Sequence, residues 1–200
     1  MIGSAAVVVI DMQNDFVRAG APLEVPGIRK TIPPIQKLIA AARASSIPVI
    51  YTRFVAGPKR TLIWDYTPQI AADKACWRGV YRKYKDSGKE LLCLDVVDEI
   101  YPAKDDYVVD KYSYNAFLNT NLIDILNAEA ARTIIVSGTV TNVCVGNTVY
   151  AAFQNNIEPI VGRDAVSSWD EELNNSTLRN IEGKFGKVLA VEEIIANLMT

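Results

Sequence analysis

Residues 133–156 read TIIVSGTVTNVCVGNTVYAAFQNN. The β-branched run Ile134-Ile135-Val136 suits a strand buried on both faces, and Ser137-Gly138-Thr139 interrupts it as a turn does. From Val143 to Phe153 the spacing predicts a helix, and Asn155-Asn156 offers the left-handed stop that ends many helices. Cys144 then falls in the first turn of that helix. Unpaired N–H groups and the positive end of the helix dipole favour an anion there, so a thiol at that point is biased toward thiolate. A small buried apolar residue is the competing reading of a lone cysteine. Strand, turn and helix start in this order favour a nucleophile instead.

Upstream, the same alternation begins at Ala5–Ile10 (AAVVVI), a continuous apolar run of the kind found in central parallel strands, which stops at Asp11. Residues 31–45 place Ile32, Ile35, Leu38, Ile39 and Ala42 at helical spacing, with Pro33 and Pro34 tolerable in the first turn. Residues 48–52 (PVIYT) predict a second strand and complete a βαβ unit, whose parallel crossover is right-handed. Residues 91–100 are expected to form either a short helix ending before Pro102 or an irregular stretch. Residues 106–110 (DYVVD) predict a third strand followed by Lys111, and Asn119 or Thr120 caps a helix carrying Leu122, Ile123, Ile125 and Leu126.

Downstream, residues 158–161 predict a fifth strand, and Asp164 is expected to cap a loop. Ser168-Trp169-Asp170-Glu171 has capping-box spacing for a helix running toward Ile181, and residues 187–191 predict a sixth strand before a terminal helix. Six strands separated by helices predict an α/β fold, a three-layer α/β/α sandwich around a six-stranded, mostly parallel sheet.

Half of the 200 residues are apolar and 22% are charged, which describes one domain over residues 1–200 with a single large core. Residues 53–92 are the least regular stretch. Between residues 53 and 89 nine Lys or Arg stand against three Asp, and so long a connector is expected to be a lid or an interface. No apolar run is long enough to span a bilayer and no signal-like segment opens the chain, so a cytoplasmic protein is expected. Cys76, Cys93 and Cys144 are odd in number and form no C-x-x-C pair, which argues against a disulfide framework and a thiolate zinc site. A net charge of −2 gives no reason to expect nucleic acid or an anionic membrane as partner.

Histidine is absent altogether, and this excludes self-contained Cys-His and Ser-His-Asp mechanisms and histidine-ligated metal sites. Any base is Asp, Glu, Lys or Tyr. In an open parallel sheet, ligands bind outside the carboxyl ends of the strands. Asp11, Lys111 and Cys144 each lie just past such an end, so all three face one edge. Cysteine supplies a nucleophile, aspartate accepts its proton and lysine stabilises both anions. Taken singly, a charged residue after a strand is more often a solvated cap; the joint placement is what points to chemistry.

Three segments resemble the signatures of the isochorismatase-like hydrolases: VIDMQNDF (residues 9–16), KYSYNAF (111–117) and SGTVTNVCV (137–145). That superfamily includes nicotinamidases and N-carbamoylsarcosine, ureidoacrylate and biuret hydrolases. The resemblance spans nearly the whole chain in the expected order. It implies Asp11, Lys111 and Cys144 as catalytic triad, a cis peptide between Thr139 and Val140, and an oxyanion hole from the Val140 and Cys144 N–H groups. Val140 stands where these relatives usually have alanine, which leaves the backbone role intact. Nicotinamidases carry a metal site of aspartate and histidines near the second strand, where this chain reads Tyr51-Thr52-Arg53-Phe54, so neither a metal nor another cofactor is expected.

The resemblance is closest on the ureidoacrylate and biuret side and implies a small linear amide substrate, with release of ammonia, in a homodimer or homotetramer. Isochorismate hydrolysis does not need the cysteine, so Cys144 favours amide chemistry. An isochorismatase-type or nicotinamidase-like hydrolase of another substrate is the alternative within the superfamily; a non-catalytic redox-sensing or interaction module, in which Cys144 is oxidised reversibly, is the alternative outside it. Phe16, Trp64, Tyr112, Asn115 and Phe117 are candidates for the pocket walls, in competition with core or capping roles. Arg53, Arg78 or Arg82 is the candidate contact for a substrate carboxylate, in competition with a solvated face.

Overall fold

The first strand, β1 (Ala5–Ile10), is buried along its whole length. Alternate side chains of a strand point to opposite faces. Ala5, Val7 and Val9 join one apolar cluster, whereas Ala6, Val8 and Ile10 join another. An uninterrupted apolar strand therefore means a sheet covered on both sides. The computed structural model describes residues 4–198.

After β1 and the single turn α1 (Asn14–Val17), helix α2 (Ile32–Ala44) leads into β2 (Val49–Phe54). Two short helices, α3 (Ile63–Tyr66) and α4 (Gln69–Ala72), and an antiparallel hairpin of β3 (Tyr81–Lys83) and β4 (Glu90–Leu92) precede β5 (Tyr107–Lys111). Then come α5 (Leu122–Ala128), β6 (Thr133–Thr139), α6 (Gly146–Gln154), β7 (Glu158–Ser167), α7 (Glu171–Lys184), β8 (Lys187–Leu189) and α8 (Val191–Leu198). Six strands form one sheet in the order β5-β2-β1-β6-β7-β8, and every neighbouring pair is parallel. Ile32, Ile35 and Leu38 of α2 and Ile194 of α8 pack on one face, and Leu122, Val149 and Ile181 of α5, α6 and α7 on the other. The result is the three-layer α/β sandwich expected.

Local details differ from expectation. Residues 91–100 do not form a helix: Glu90–Leu92 pair with β3, and the only helical turn is the 3-10 segment Asp98–Ile100. Hydrogen bonding to a partner strand has overridden an ambiguous apolar pattern. The N-cap of α7 is Asp170, whose Oδ1 accepts from the Leu173 N–H at 2.8 Å, not Ser168. Thr120 Oγ1 accepts from the Leu122 N–H at the start of α5. Asp164 Oδ1 accepts from the Val191 N–H and so caps α8. Asn156, with φ of 60°, provides the left-handed stop after α6.

Candidate active site

The carboxyl ends of β1, β5 and β6 carry the reactive groups. Asp11 leaves β1 with φ of 50°, a left-handed conformation that Asp tolerates better than most residues. This turn re-aims its side chain over the sheet edge. Thr52 of β2 fixes it: Thr52 Oγ1 donates to Asp11 Oδ1 at 2.7 Å, and the Asp11 N–H bonds Thr52 Oγ1 at 3.2 Å. Lys111 ends β5, two strands and roughly 10 Å from β1. Only a long side chain closes that gap. Its Nζ reaches 2.8 Å from Asp11 Oδ2, donates to the Ser113 carbonyl at 2.9 Å and lies 5.0 Å from the centre of the Phe54 ring.

Gly138 in β6 pairs with Ile10, and a Cβ there would lie 2.1 Å from the Ile10 carbonyl oxygen. Its φ of 105° is likewise open only to glycine. This close approach brings the Cys144 segment against Asp11. The Thr139–Val140 peptide is cis. Cys144 does not sit in the first turn of an α-helix: Thr141–Val145 is a π-helical turn, and α6 starts one residue later. The thiol nevertheless lies close enough to Asp11 and Lys111 to feel both.

All three groups are removed from solvent, Asp11 and Lys111 completely and Cys144 to 3% exposure. Burial pushes the Cys144 thiol up to about 12; Lys111 opposes that shift and Asp11 adds to it. Burial works to lower the Lys111 ammonium, but the Asp11 carboxylate and the Cys144 sulfur outweigh it and hold it above its ordinary value. The bias toward thiolate expected from a helix start is thus opposed by burial, which disfavours the charged form of the sulfur.

Alkylation of Cys144 by iodoacetamide, followed by peptide mass, is therefore expected to accelerate about tenfold per pH unit from pH 7 to pH 9 without levelling. A plateau below pH 8 contradicts the burial argument. The sign for stability follows from linkage. The folded-state thiol titrates above its unfolded value of about 8.5, so its contribution is fully present below that pH and is lost as pH rises toward 12.

A cavity of about 170 Å³ opens above Cys144. Phe16, Phe54 and Tyr114 line it together with Ile63, Tyr66 and Thr67 of the segment before β5 and with Leu23, Trp169, Val140 and Val143. Of the expected wall residues, Phe16 lines the cavity and the other four do not. Trp64 donates from Nε1 to the Ala56 carbonyl at 2.8 Å and packs on Trp77 at 5.3 Å between ring centres. Tyr112 is half-exposed and accepts from Arg78 at 2.7 Å. Asn115 Oδ1 accepts from the Phe117 N–H at 2.8 Å, and Phe117 packs on the cluster beneath α5 and α6.

The arginines are also engaged. Arg53 and Arg78 bond the two oxygens of Asp110, each at 2.8 Å, and Arg82 bonds Asp15 Oδ1 at 2.8 Å. Asp15 is fully buried and also accepts from the Tyr84 hydroxyl and the Cys76 N–H, which ties the β3–β4 hairpin to α1. These three arginines are thus taken up by pairs within the protein.

Thr52, Phe54, Tyr114 and Trp169 were not singled out by sequence. Gln13 positions Phe54 by pairing with both its N–H and its carbonyl, at 2.6 and 3.2 Å, as a neighbouring strand would. The available signal was adjacency: Thr52 and Phe54 end β2, the strand between those of Asp11 and Lys111. Among the described residues, no three His, Cys, Asp or Glu side chains are grouped to hold a metal ion.

A doubly covered parallel sheet with cysteine, carboxylate and lysine gathered at its strand ends defines a cysteine hydrolase of the α/β class. The Isochorismatase domain model matches residues 5–193, and the chain belongs to the isochorismatase family. N-carbamoylsarcosine amidase of Arthrobacter sp is 30% identical over 198 residues, covering 96% of this chain and 70% of that protein. Ureidoacrylate amidohydrolase RutB of Pseudomonas syringae pv. syringae (strain B728a) is 32% identical over 209 residues, covering 96% and 82%. The crystal structure of a cysteine hydrolase from Pseudomonas syringae pv. phaseolicola 1448A superposes with a TM-score of 0.88 at 30% identity, over 98% of this chain and 92% of that one.

Proposed function

We propose that this protein is an amidohydrolase that cleaves the carbon–nitrogen bond of a small linear amide, of the ureido or carbamoyl type, and releases ammonia. The observation that carries this reading is the buried grouping of Asp11, Lys111 and Cys144, of which Cys144 lines the cavity. The names of the two amidohydrolase relatives support it.

In the proposed cycle the Cys144 thiol gives its proton to Asp11 as sulfur attacks the carbonyl carbon. The Val140 and Cys144 N–H groups hold the resulting oxyanion. Asp11 passes the proton to the departing nitrogen, the C–N bond breaks and ammonia leaves a thioester on Cys144. Asp11 then takes a proton from water, whose oxygen attacks the thioester. The C–S bond breaks and the proton returns to sulfur. One amide and one water become one acid and one ammonia. Lys111 offsets the charge of the Asp11 carboxylate throughout, so the base stays in place in a site without bulk water.

The chain acts in this reading as one domain, with residues 53–92 as the lid that carries Ile63, Tyr66 and Thr67 over Cys144. We place it in the cytoplasm as a homodimer or homotetramer. Three free cysteines fit a reducing compartment, and the exposed Val108, Tyr112 and Leu118 beside β5 offer a surface to a second copy. Among the described residues no helix is long and apolar enough to cross a membrane.

Ammonia release is to be screened over ureidoacrylate, biuret, N-carbamoylsarcosine, maleamate and nicotinamide, with acid-quenched samples weighed by intact-protein mass spectrometry. The expected result is ammonia from a ureido or carbamoyl compound and a matching acyl adduct on Cys144. Reversible oxidation of Cys144 with no turnover on any amide would instead identify a redox sensor.

A further inference from the structure

Four aromatic rings form a continuous arc around the cavity. Trp169 and Phe16 lie 6.4 Å apart between ring centres, Phe16 and Phe54 6.4 Å, and Phe54 and Tyr114 6.3 Å, each pair tilted. Leu23 and Ile63 add aliphatic wall, and no arginine or lysine lines the space. The arc continues outward: Trp169 is 44% exposed and Tyr66 79%, and both also line the shallow depression at the surface beside the cavity.

The nearest cation is already engaged on three sides. Lys111 holds Asp11 Oδ2, the Ser113 carbonyl and the face of Phe54. Arg53, Arg78 and Arg82 are bonded to Asp110 and Asp15. The Asp11–Lys111 pair leaves no net positive charge for an incoming anion. A carboxylate carried into this space would lose most of its water and find no cation among the lining residues, only the hydroxyls of Tyr66, Thr67 and Tyr114, which disfavours it. An uncharged ring loses little water and gains contact with four ring faces or edges.

We infer that the substrate is a neutral amide or urea whose non-reacting part is an apolar group about the size of a benzene ring, and that carboxylate-bearing ureido compounds are discriminated against. The cavity of about 170 Å³ and the depression that adjoins it at Leu23, Tyr66, Thr67 and Trp169 together give room for such a ring beside the reacting group, since an apolar cavity of about 150 Å³ is enough to take up benzene. The identity of the reacting group rests on the amidohydrolase reading, whereas the polarity of the rest of the substrate rests on the walls alone.

The test compares phenylurea with N-carbamoylglycine, two monosubstituted ureas that differ in an aryl against a carboxylate-bearing group. kcat/KM is expected to favour phenylurea by about 100-fold or more, because no cation compensates the carboxylate. Trp169→Ala, at a half-exposed position that leaves the core alone, is expected to raise KM for phenylurea roughly tenfold and to raise KM for acetamide less. Protection of Cys144 from iodoacetamide is measured with the same two ureas, and phenylurea is expected to protect at lower concentration.

Equal or better turnover of N-carbamoylglycine overturns the inference and leaves the amidohydrolase reading standing. Selective protection by phenylurea without turnover of any amide supports the inference about the walls while the amidohydrolase reading falls. Protection by neither urea, or equal protection by both, overturns the inference.

Discussion

Cys144→Ala is expected to lower kcat/KM for amide hydrolysis by about 10⁴-fold or more, as removal of an enzymatic nucleophile does. The thiol is small and lies at the floor of an existing cavity, so its loss removes one buried sulfur and opens little new space. The variant is expected to melt cooperatively within a few degrees of the wild type. Ammonia-release kinetics and a thermal melt on the same sample check both halves. Retained turnover with a retained melt would remove Cys144 from the mechanism, and direct attack by water assisted by Asp11 would then be the reading to pursue. Cys144→Ser is a sharper probe of the base. A hydroxyl is far harder to deprotonate than a thiol, so loss of activity is again expected although Asp11 stands at the same place.

Lys111→Met is expected to be the most destabilising single change in the site. Its ammonium is fully buried 2.8 Å from a fully buried carboxylate, and removing one member of such a pair leaves an uncompensated charge that costs about 3–5 kcal/mol. For a chain of this length that corresponds to a fall in melting temperature of roughly 10 °C. The double variant Asp11→Asn/Lys111→Met removes both charges and is expected to recover most of the lost stability, whereas its activity stays as low as that of either single variant. Thermal melts of the four proteins give the coupling energy directly. A near-zero coupling would show that water reaches the pair and screens it, and would withdraw the electrostatic role assigned to Lys111. Restored activity in the double variant would remove both residues from catalysis.

The two experiments separate chemistry from architecture. In the proposed mechanism Cys144 acts on substrate, and it is expected to contribute little to folding. Asp11 and Lys111 are expected to contribute to both, because the charges proposed to serve the reaction also have to be accommodated in a dry interior. Thr52 belongs with them as a positioning residue: its hydroxyl bonds Asp11 Oδ1 at 2.7 Å and leaves Oδ2 facing Lys111.

How far this could be read in advance depended on the range of the interaction. The apolar run of β1 and the helical spacing of Ile32, Ile35 and Leu38 are local patterns, and local patterns specify strands and helices, whereas Ser137-Gly138-Thr139, expected as a turn, continues β6 because its backbone pairs with β1 and β7. Covered parallel sheets place the residues after their strands at one edge, so the gathering of Asp11, Lys111 and Cys144 was legible from order alone. Trp64, Tyr112, Asn115 and Phe117 lie in the same sequence segments as true wall residues, yet their side chains turn elsewhere. Orientation within an irregular loop follows no period. Trp169 follows Cys144 by 25 residues and Phe16 by far more, and only the packing of β7 beside β6 and the turn after β1 bring them onto one cavity.

By itself the sequence determined the layered α/β fold, the absence of histidine chemistry and the three strand ends that carry reactive side chains. Each follows from composition, from continuous apolar runs or from a period of 3.6 residues along the chain. Only the tertiary structure decided that burial opposes the thiolate at Cys144, that the arginines of residues 53–89 are paired internally, and that the cavity is walled by aromatic rings. The physical reason is that desolvation and charge pairing are set by neighbours in space. Asp15 and Arg82, or Arg53 and Asp110, are far apart along the chain and meet at 2.8 Å once the sheet has assembled.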